Sequence, residues 1–251
     1  MIELLHTIEA SVQQVAAEAC SLIQVPPFVA MLHPDDPAPW FNYAMPIAGL
    51  ETAAANLPAL RQVFHAQQRQ LRFEWTRELW PELEAILRDA GIKVDHINPQ
   101  MICLPEQFKP YHNPAVSLRM LTTADDLAHY RQVTRLGFGD YSAISQADVD
   151  SLHDALTDGW RYAMATIEGE LAAVGGYKPT SLGVVELVAI ATLPAWRRRG
   201  AAASLTSFLV ADHFANAGKL AFLFAADAIA QATYAKIGFQ QIATHLAATE
   251  E

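Results

Sequence analysis

Cysteine is scarce in this 251-residue chain: only Cys20 and Cys103, far apart and without metal-ligand spacing. They read as two free thiols in a reducing compartment, which excludes a disulfide scaffold. Charge is also sparse, at 18% of residues, while 52% are hydrophobic. A chain of that composition buries substantial cores and is not disordered. There is no basic surplus. Residues 1–114 hold 7 basic and 13 acidic side chains and residues 115–251 hold 10 and 14, for a net charge of −10. A nucleic-acid surface needs a basic stripe, so nucleic acid is not the expected partner.

No apolar run reaches the length of a membrane span, and Met1–Leu5 carries Glu3 without a basic leader region. The expectation is a cytoplasmic protein without membrane contact. The nine histidines are scattered, with no i, i+4 pair and no His-Glu-x-x-His, so no metal site is expected. A Gly-x-Ser-x-Gly nucleophile elbow is missing as well.

The most informative stretch that is present is Glu186–Ala202, ELVAIATLPAWRRRGAA. Leu187, Val188, Ala189 and Ile190 form an apolar run expected to be a strand covered on both faces. Pro194 ends it. Arg197, Arg198, Arg199 and Gly200 then open a helix near Ala201. Free N–H groups and the helix dipole favour an anion at such a point, and the arginines add positive charge. The turn lacks the Lys-Ser or Lys-Thr of a P-loop and the spaced glycines of a Rossmann turn.

Around this stretch the chain reads as follows. Residues 3–23 have helical spacing up to Pro26-Pro27. Phe28–Leu32 and Trp40–Ile47 are strands, with Trp40, Phe41 and Tyr43 as core. Pro58–Gln70 is a helix, Leu71–Trp75 a strand, Glu78–Ala90 a helix ending at Gly91, and Val94–Leu104 a strand. Pro105–Pro114 is the linker candidate. A strand at Val116–Leu121 follows, then a helix capped by Thr122 or Thr123 and a second helix over Ala147–Leu156. Trp160–Ile167 and Leu171–Tyr177 form a hairpin about Glu168-Gly169. After the central strand and the helix Ala201–Ala217 come a strand at Leu220–Phe224, a helix at Ala228–Ile237 and a last strand, Gln240–Leu246. This is an α/β chain with a mixed sheet. The order around Leu71–Ile92 recurs about 147 residues later around Leu220–Phe239, which implies a duplicated domain divided into residues 1–112 and 113–251.

Two segments carry a family resemblance. Arg197-x-x-Gly200-x-Ala202 resembles the acyl-CoA pyrophosphate loop, Gln/Arg-x-x-Gly-x-Gly/Ala, of the GCN5-related N-acetyltransferase (GNAT) superfamily. Ala232-Thr-Tyr234-Ala-Lys-Ile-Gly238-Phe239 is similar to that family's Ala-x-x-Tyr-x-x-x-Gly-Phe segment. The resemblance covers 116–251 and extends weakly to 28–104, as a tandem pair of GNAT-like domains whose first copy is degenerate. That copy has no arginine in the corresponding turn, Ala48–Leu57, and has Leu87 in place of Tyr234.

The resemblance implies transfer of an acyl group, acetyl in the first instance, from acetyl-CoA to a primary amine of a small molecule, without a metal. Tyr234 would protonate the departing thiolate, and otherwise is one aromatic on an amphipathic helix. Glu186 would be the base that deprotonates the incoming ammonium through water, or else a solvated edge residue. Main-chain groups of Ile190–Thr192 would pair with pantetheine, and the amides of Arg198, Arg199, Gly200, Ala201 and Ala202 would cradle the diphosphate beside Arg197. Asp227 stands where many relatives place an asparagine facing the cofactor. Phe138 and Tyr141, with Trp160, read as core or as the wall of an acceptor pocket. The rival reading is a non-catalytic acyl-CoA-binding or regulatory module, as a monomer or homodimer.

Overall fold

The computed structural model describes residues 1–250. In chain order the elements are α1 (Ile2–Ala19), β1 (Ser21–Val25), β2 (Phe28–Leu32), β3 (Asn42–Pro46), α2 (Ala53–Ala66), β4 (Arg72–Thr76), α3 (Leu83–Asp89) and β5 (Lys93–Cys103). They continue with β6 (Ser117–Met120), α4 (Leu127–Gly137), α5 (Gln146–Thr157), β7 (Arg161–Ile167), β8 (Glu170–Tyr177), β9 (Val184–Glu186), β10 (Val188–Thr192), α6 (Ala201–Ala215), β11 (Leu220–Phe224), α7 (Ala228–Ala235) and β12 (Gln240–Thr249). The elements fall into two compact units. Unit 1 comprises residues 1–100, 224–226 and 241–251; unit 2 comprises 101–223 and 227–240.

In unit 1 the strand order is β1-β2-β3-β4-β12-β5. β1 and β2 form a hairpin through Pro26-Pro27, with Ser21 opposite Leu32 and Val25 opposite Phe28. The helix expected over residues 3–23 therefore stops at Ala19. Leu22, Ile23 and Val25 keep apolar spacing, but they sit on a half-exposed edge strand. β3 and β4 are parallel, Ala44 opposite Phe73, and are joined by α2. Pro58 lies inside α2. β12 pairs antiparallel with β4, His245 opposite Thr76 and Thr249 opposite Arg72. The last strand, read from sequence as closing the second half, thus completes the sheet of unit 1. Phe28, Phe64, Phe73, Trp75 and Leu246 are the heart of this core. Trp40 and Phe41 are not part of it: they are 64% and 43% exposed in a short turn before β3, where only Tyr43 packs inward.

Unit 2 contains an antiparallel sheet in the order β10-β8-β7-β6 and a parallel pair, β11 with β9. Glu168 and Gly169 make the β7–β8 turn with φ +57° and +86°, the left-handed pair that a tight hairpin requires. α4 packs on β8 and β10, and α6 on β7 and β8, over a core that includes Tyr130, Leu152, Val174 and Ala191. α4 is capped by Asp126, whose carboxylate accepts from the His129 N–H at 2.9 Å, rather than by Thr122 or Thr123. Asp125 instead binds Arg119 and Thr122.

Candidate functional site

The site is built where the chain changes sheets. β9 runs beside β11, Glu186 opposite Phe222; after Leu187 the chain turns away as β10 and pairs with β8. No breaker residue marks this point. β10 is an edge strand, and its register slips between Val188, opposite Gly176, and Ala191, opposite Val174. Ala189 has φ +53°, and neither it nor Ile190 has a Cα partner on β8. This bulge leaves backbone out of the ladder, an arrangement that bends a strand and re-aims its groups. Val188, Ala189 and Ile190 are consequently half-buried, not covered on both faces as the apolar run suggested. Thr192, in contrast, is paired with Ala173.

Beyond β10 the chain makes a short turn at Pro194–Trp196 and enters α6 through two left-handed residues, Arg198 at φ +60° and Gly200 at φ +81°. The first bond of α6 runs from the Ser204 N–H to the Gly200 carbonyl, 3.0 Å. Among the described residues, the six N–H groups from Arg198 to Ala203 donate to no protein acceptor. The other helices of unit 2 behave differently: Asp126, Ser145 and Asp227 each cap their own helix, whereas α6 has no side-chain cap. A row of unsatisfied amides at a helix N-terminus, on left-handed turns, is an anion-binding concavity.

The three arginines divide the work. Arg197 braces the frame: its Nη2 donates to the Gly137 carbonyl at 2.9 Å and its Nε to the Thr192 carbonyl at 3.3 Å. Arg199 lies over the Trp196 ring, 4.6 Å from its centroid, and is ion-paired to Glu168. Arg198 is exposed, and its guanidinium has no partner among the described residues. It is the arginine best able to meet an incoming anion. Ala201 is buried and Ala202 half-buried at the helix start, both small enough for close approach.

The segment read as a linker has a second role. Tyr111 N–H donates to Ser207 Oγ at 2.8 Å and Asn113 N–H to Ser204 Oγ at 3.1 Å, so residues 111–113 lie along α6. Asn113 Nδ2 also donates to the Arg199 carbonyl at 2.9 Å. Asn113 therefore fixes the turn from behind. The available sequence signal is Ser204 and Ser207, an i, i+3 polar pair in a largely apolar helix; nothing local names their partners.

Tyr234 lies on α7, which packs against α6. It is 9% exposed, and its hydroxyl makes no hydrogen bond to any described residue. Burial, helped by the Asp227 charge, pushes the phenol up to about 12, so it keeps its proton throughout the neutral range. Asp227 uses one carboxylate oxygen as the α7 cap, accepting from the Ala230 N–H at 2.7 Å. Glu186 is half-buried at the end of β9. Phe138 and Tyr141 follow α4 and are 64% and 80% exposed, so neither is core; Trp160 stacks on Tyr162 against the core instead.

A separate concavity of about 270 Å³ in unit 2 is lined by Arg161, Tyr177, His213 and Lys219, toward the C-terminal end of α6. It contains none of the residues above. Asp212 accepts two bonds of 2.6 Å from Arg161 and one of 2.6 Å from Tyr177, a closed network that braces the sheet against α6.

Residues 129–239, from α4 to the residue before β12, match the family described as "Acetyltransferase (GNAT) family". The fold is the GNAT fold. A GCN5-related N-acetyltransferase from Kribbella flavida superposes with a TM-score of 0.80 at 19% identity, over 98% of this chain and 95% of that one. One from Sphaerobacter thermophilus gives 0.70 at 13% identity, over 99% and 90%. A tandem GNAT protein from the clavulanic acid biosynthesis pathway gives 0.64 at 13% identity, over 89% and 78%. No curated protein matches the sequence. The GNAT-matched segment contains every residue singled out on β9, β10, α6 and α7. No helix is long and apolar enough to cross a membrane, and no group of three or more His, Cys, Asp or Glu could hold a metal ion among the described residues.

Proposed function

We propose that this protein is an acyl-CoA-dependent N-acyltransferase of the GNAT type, moving acetyl from acetyl-CoA to a primary amine of a small molecule. The observation that carries the reading is the row of six unsatisfied amides at the α6 N-terminus, with the unpartnered guanidinium of Arg198 beside it. A diphosphate satisfies both the hydrogen bonds and the charge. The donor set fits CoA for a second reason: β10 offers unladdered backbone at Ala189–Ile190 and a half-buried apolar surface, suited to an amide-bearing pantetheine arm. Acetyl-CoA held there would supply the activated thioester.

The chain's own residues then account for the proton traffic. An ammonium must lose a proton before its nitrogen can attack the thioester carbonyl. Glu186, at the open end of the β9–β11 pair, takes it through a water. The C–N bond forms, the C–S bond breaks, and the thiolate leaves. Tyr234, kept neutral by burial and with its hydroxyl uncommitted, gives its proton to the sulfur, and the second proton shed by the acylated nitrogen restores the phenol. Main-chain N–H groups released at the β10 bulge polarise the carbonyl oxygen. Phe138 and Tyr141, exposed beyond α4, are the candidates for contact with the acceptor.

We further propose that the chain is a tandem of two GNAT-like copies, residues 1–112 and 113–251, the first of them degenerate. Both units have a parallel strand pair whose connection includes a helix, β3-α2-β4 in unit 1 and β9-β10-α6-β11 in unit 2. In unit 1 the turn before α2 carries Glu51 and no arginine, and Leu87 is fully buried core. The test is free-thiol release from acetyl-CoA with a panel of primary amines, comparing the parent with Tyr234→Phe and Glu186→Gln. Saturable CoA binding without turnover across the panel would favour a binding module. No CoA binding at all would end the proposal.

A further inference from the structure

Unit 1 has its own concavity, of about 210 Å³. It is lined by one stripe of α1 (His6, Glu9 and Gln13), by Pro46 and Ile47 at the end of β3, and by Trp80. Glu9 is only 8% exposed. One of its oxygens, Oε1, accepts the Trp80 indole N–H at 3.0 Å. The other, Oε2, has no hydrogen bond among the described residues; its nearest basic neighbour is His6 Nδ1 at 3.9 Å. Burial pushes this carboxyl up to about 7 against the opposing Trp80 bond. The Gln13 amide is likewise without a hydrogen bond among the described residues.

We infer that this concavity binds a small organic ammonium, its charge on the open oxygen of Glu9 and its alkyl groups against Ile47, Pro46 and Trp80. Three features select that class. A half-satisfied carboxylate in a low-dielectric wall gains most from a compact cation. The Trp80 indole, which donates its N–H to the first oxygen of Glu9, leaves the second oxygen for the cation and gives the ligand's alkyl groups apolar surface. A divalent metal is excluded by the donor set, since one carboxylate and one imidazole do not make a coordination shell and no larger group of ligating residues is close. The volume lies below the ~300–1,000 Å³ of pockets for drug-sized ligands, which restricts the ligand to a few carbons. Nothing here depends on the acyltransfer reading, because every lining residue lies in unit 1.

The experiment is calorimetric titration of the full chain with choline, with butylammonium and with 3,3-dimethylbutan-1-ol, the neutral isostere of choline. At pH 8 at least one cation binds saturably and the neutral isostere does not. At pH 6 affinity falls about tenfold, because Glu9, whose carboxyl burial pushes up to about 7, gains its proton; His6 is the other titratable side chain lining the site. Glu9→Gln gives the same loss at pH 8. Ala10→Phe, which fills the concavity without touching the carboxylate, abolishes binding while a thermal melt confirms folding. Acetyl-CoA affinity stays at the parental value in both variants, which separates this site from the one in unit 2. The inference is overturned if neither cation binds at pH 8, or if binding survives in both variants.

Discussion

Gly200→Ala isolates the anchoring turn, and its effect can be worked out before it is measured. Gly200 has φ +81°. An L-residue held in the left-handed region costs roughly 1–2 kcal/mol. A Cβ there would lie 3.0 Å from Asn113 Nδ2 and 3.2 Å from the Tyr111 hydroxyl. Asn113 does not move cheaply: its backbone N–H binds Ser204, its Nδ2 holds the Arg199 carbonyl, and its Oδ1 accepts from Ala115 N–H at 3.0 Å. Giving up the Arg199 bond adds about 0.5–1.5 kcal/mol.

The sum is about 1.5–3.5 kcal/mol, and it can be discharged in two ways. If the turn holds, the cost appears as stability, a fall in Tm of roughly 3–14 °C at the ~2–4 °C per kcal/mol typical of a chain this long. If Gly200 relaxes to negative φ, the amide row is lost and CoA affinity drops at least tenfold. Gly159→Ala is the control. Its φ is +89° and nothing lies within 4 Å of the added methyl, so it reports backbone strain alone. Differential scanning fluorimetry and CoA titration on the three proteins separate the contributions. Gly200→Ala indistinguishable from Gly159→Ala in both Tm and CoA affinity would refute the assigned role of Asn113 and of the turn.

Tyr234→Phe is expected to lower turnover by about 10²–10⁴, the usual worth of a positioned acid, with CoA affinity near the parental value; a rate within threefold of the parent removes Tyr234 from the chemistry. Arg198→Gln should weaken CoA about tenfold and Arg199→Gln less, because Arg199 is already committed to Glu168 and Trp196; equal losses would show that the partition among the arginines is wrong. For Asp212, burial pushes the pKa up, but the bonds from Arg161 and Tyr177 outweigh it and hold it below the ordinary value. Its contribution is therefore present above about pH 4 and lost as the pH falls through the folded-state value, and Asp212→Asn should cost about 2 kcal/mol at pH 7, read by urea unfolding. Glu9 has the opposite sign: its folded pKa of about 7 lies above the unfolded value, so its contribution is complete below about pH 4 and is lost as pH rises toward and through 7. The shift from 4.5 to about 7 corresponds to about 3 kcal/mol; unfolding free energies at pH 4 and pH 8 should show that loss in the parent and not in Glu9→Gln.

Sequence was most legible where local chemistry alone decides the structure. The β7–β8 hairpin follows from Glu168-Gly169, and the α6 start from Gly200 after Pro194. It was least legible where the answer depends on a distant partner. Nothing in Gln240–Thr249 says that it pairs with Arg72–Thr76, because strand periodicity fixes which face is buried and not which strand lies beside it. Val188–Ile190 shows the same limit. An apolar run looks identical whether both faces are covered by protein or one is left half-open at a bulge, and the change of sheet at Leu187 has no glycine or proline to announce it. Trp40 and Phe41 were misplaced for a related reason: their size argues for burial, yet a turn starting at Pro39 carries them outward. Asn113 was missed because a proline-rich stretch reads as a spacer until the helix it lies on is known.

Neither the α6 dipole nor its apolar packing is special, since every helix presents unsatisfied N–H groups at its start. What differs is which helices satisfy them internally. Asp126, Ser145 and Asp227 close α4, α5 and α7 with their own oxygens, each cap contributing on the order of 1 kcal/mol. α6 forgoes that contribution, takes a left-handed glycine in place of a cap, and directs the Asn113 side chain to a carbonyl of the turn, leaving the amides open. In unit 1 the turn before α2 provides its own carboxylate, Glu51, whose charge opposes an incoming phosphate. α2 has no side-chain cap either, so the two helix starts differ in charge: Glu51 precedes α2 and Arg198 precedes α6. Uncapped amides are stabilising only when a ligand fills them, so bound CoA should raise the stability of this protein by more than Gly200→Ala removes, and the gain should shrink when Arg198 is neutralised.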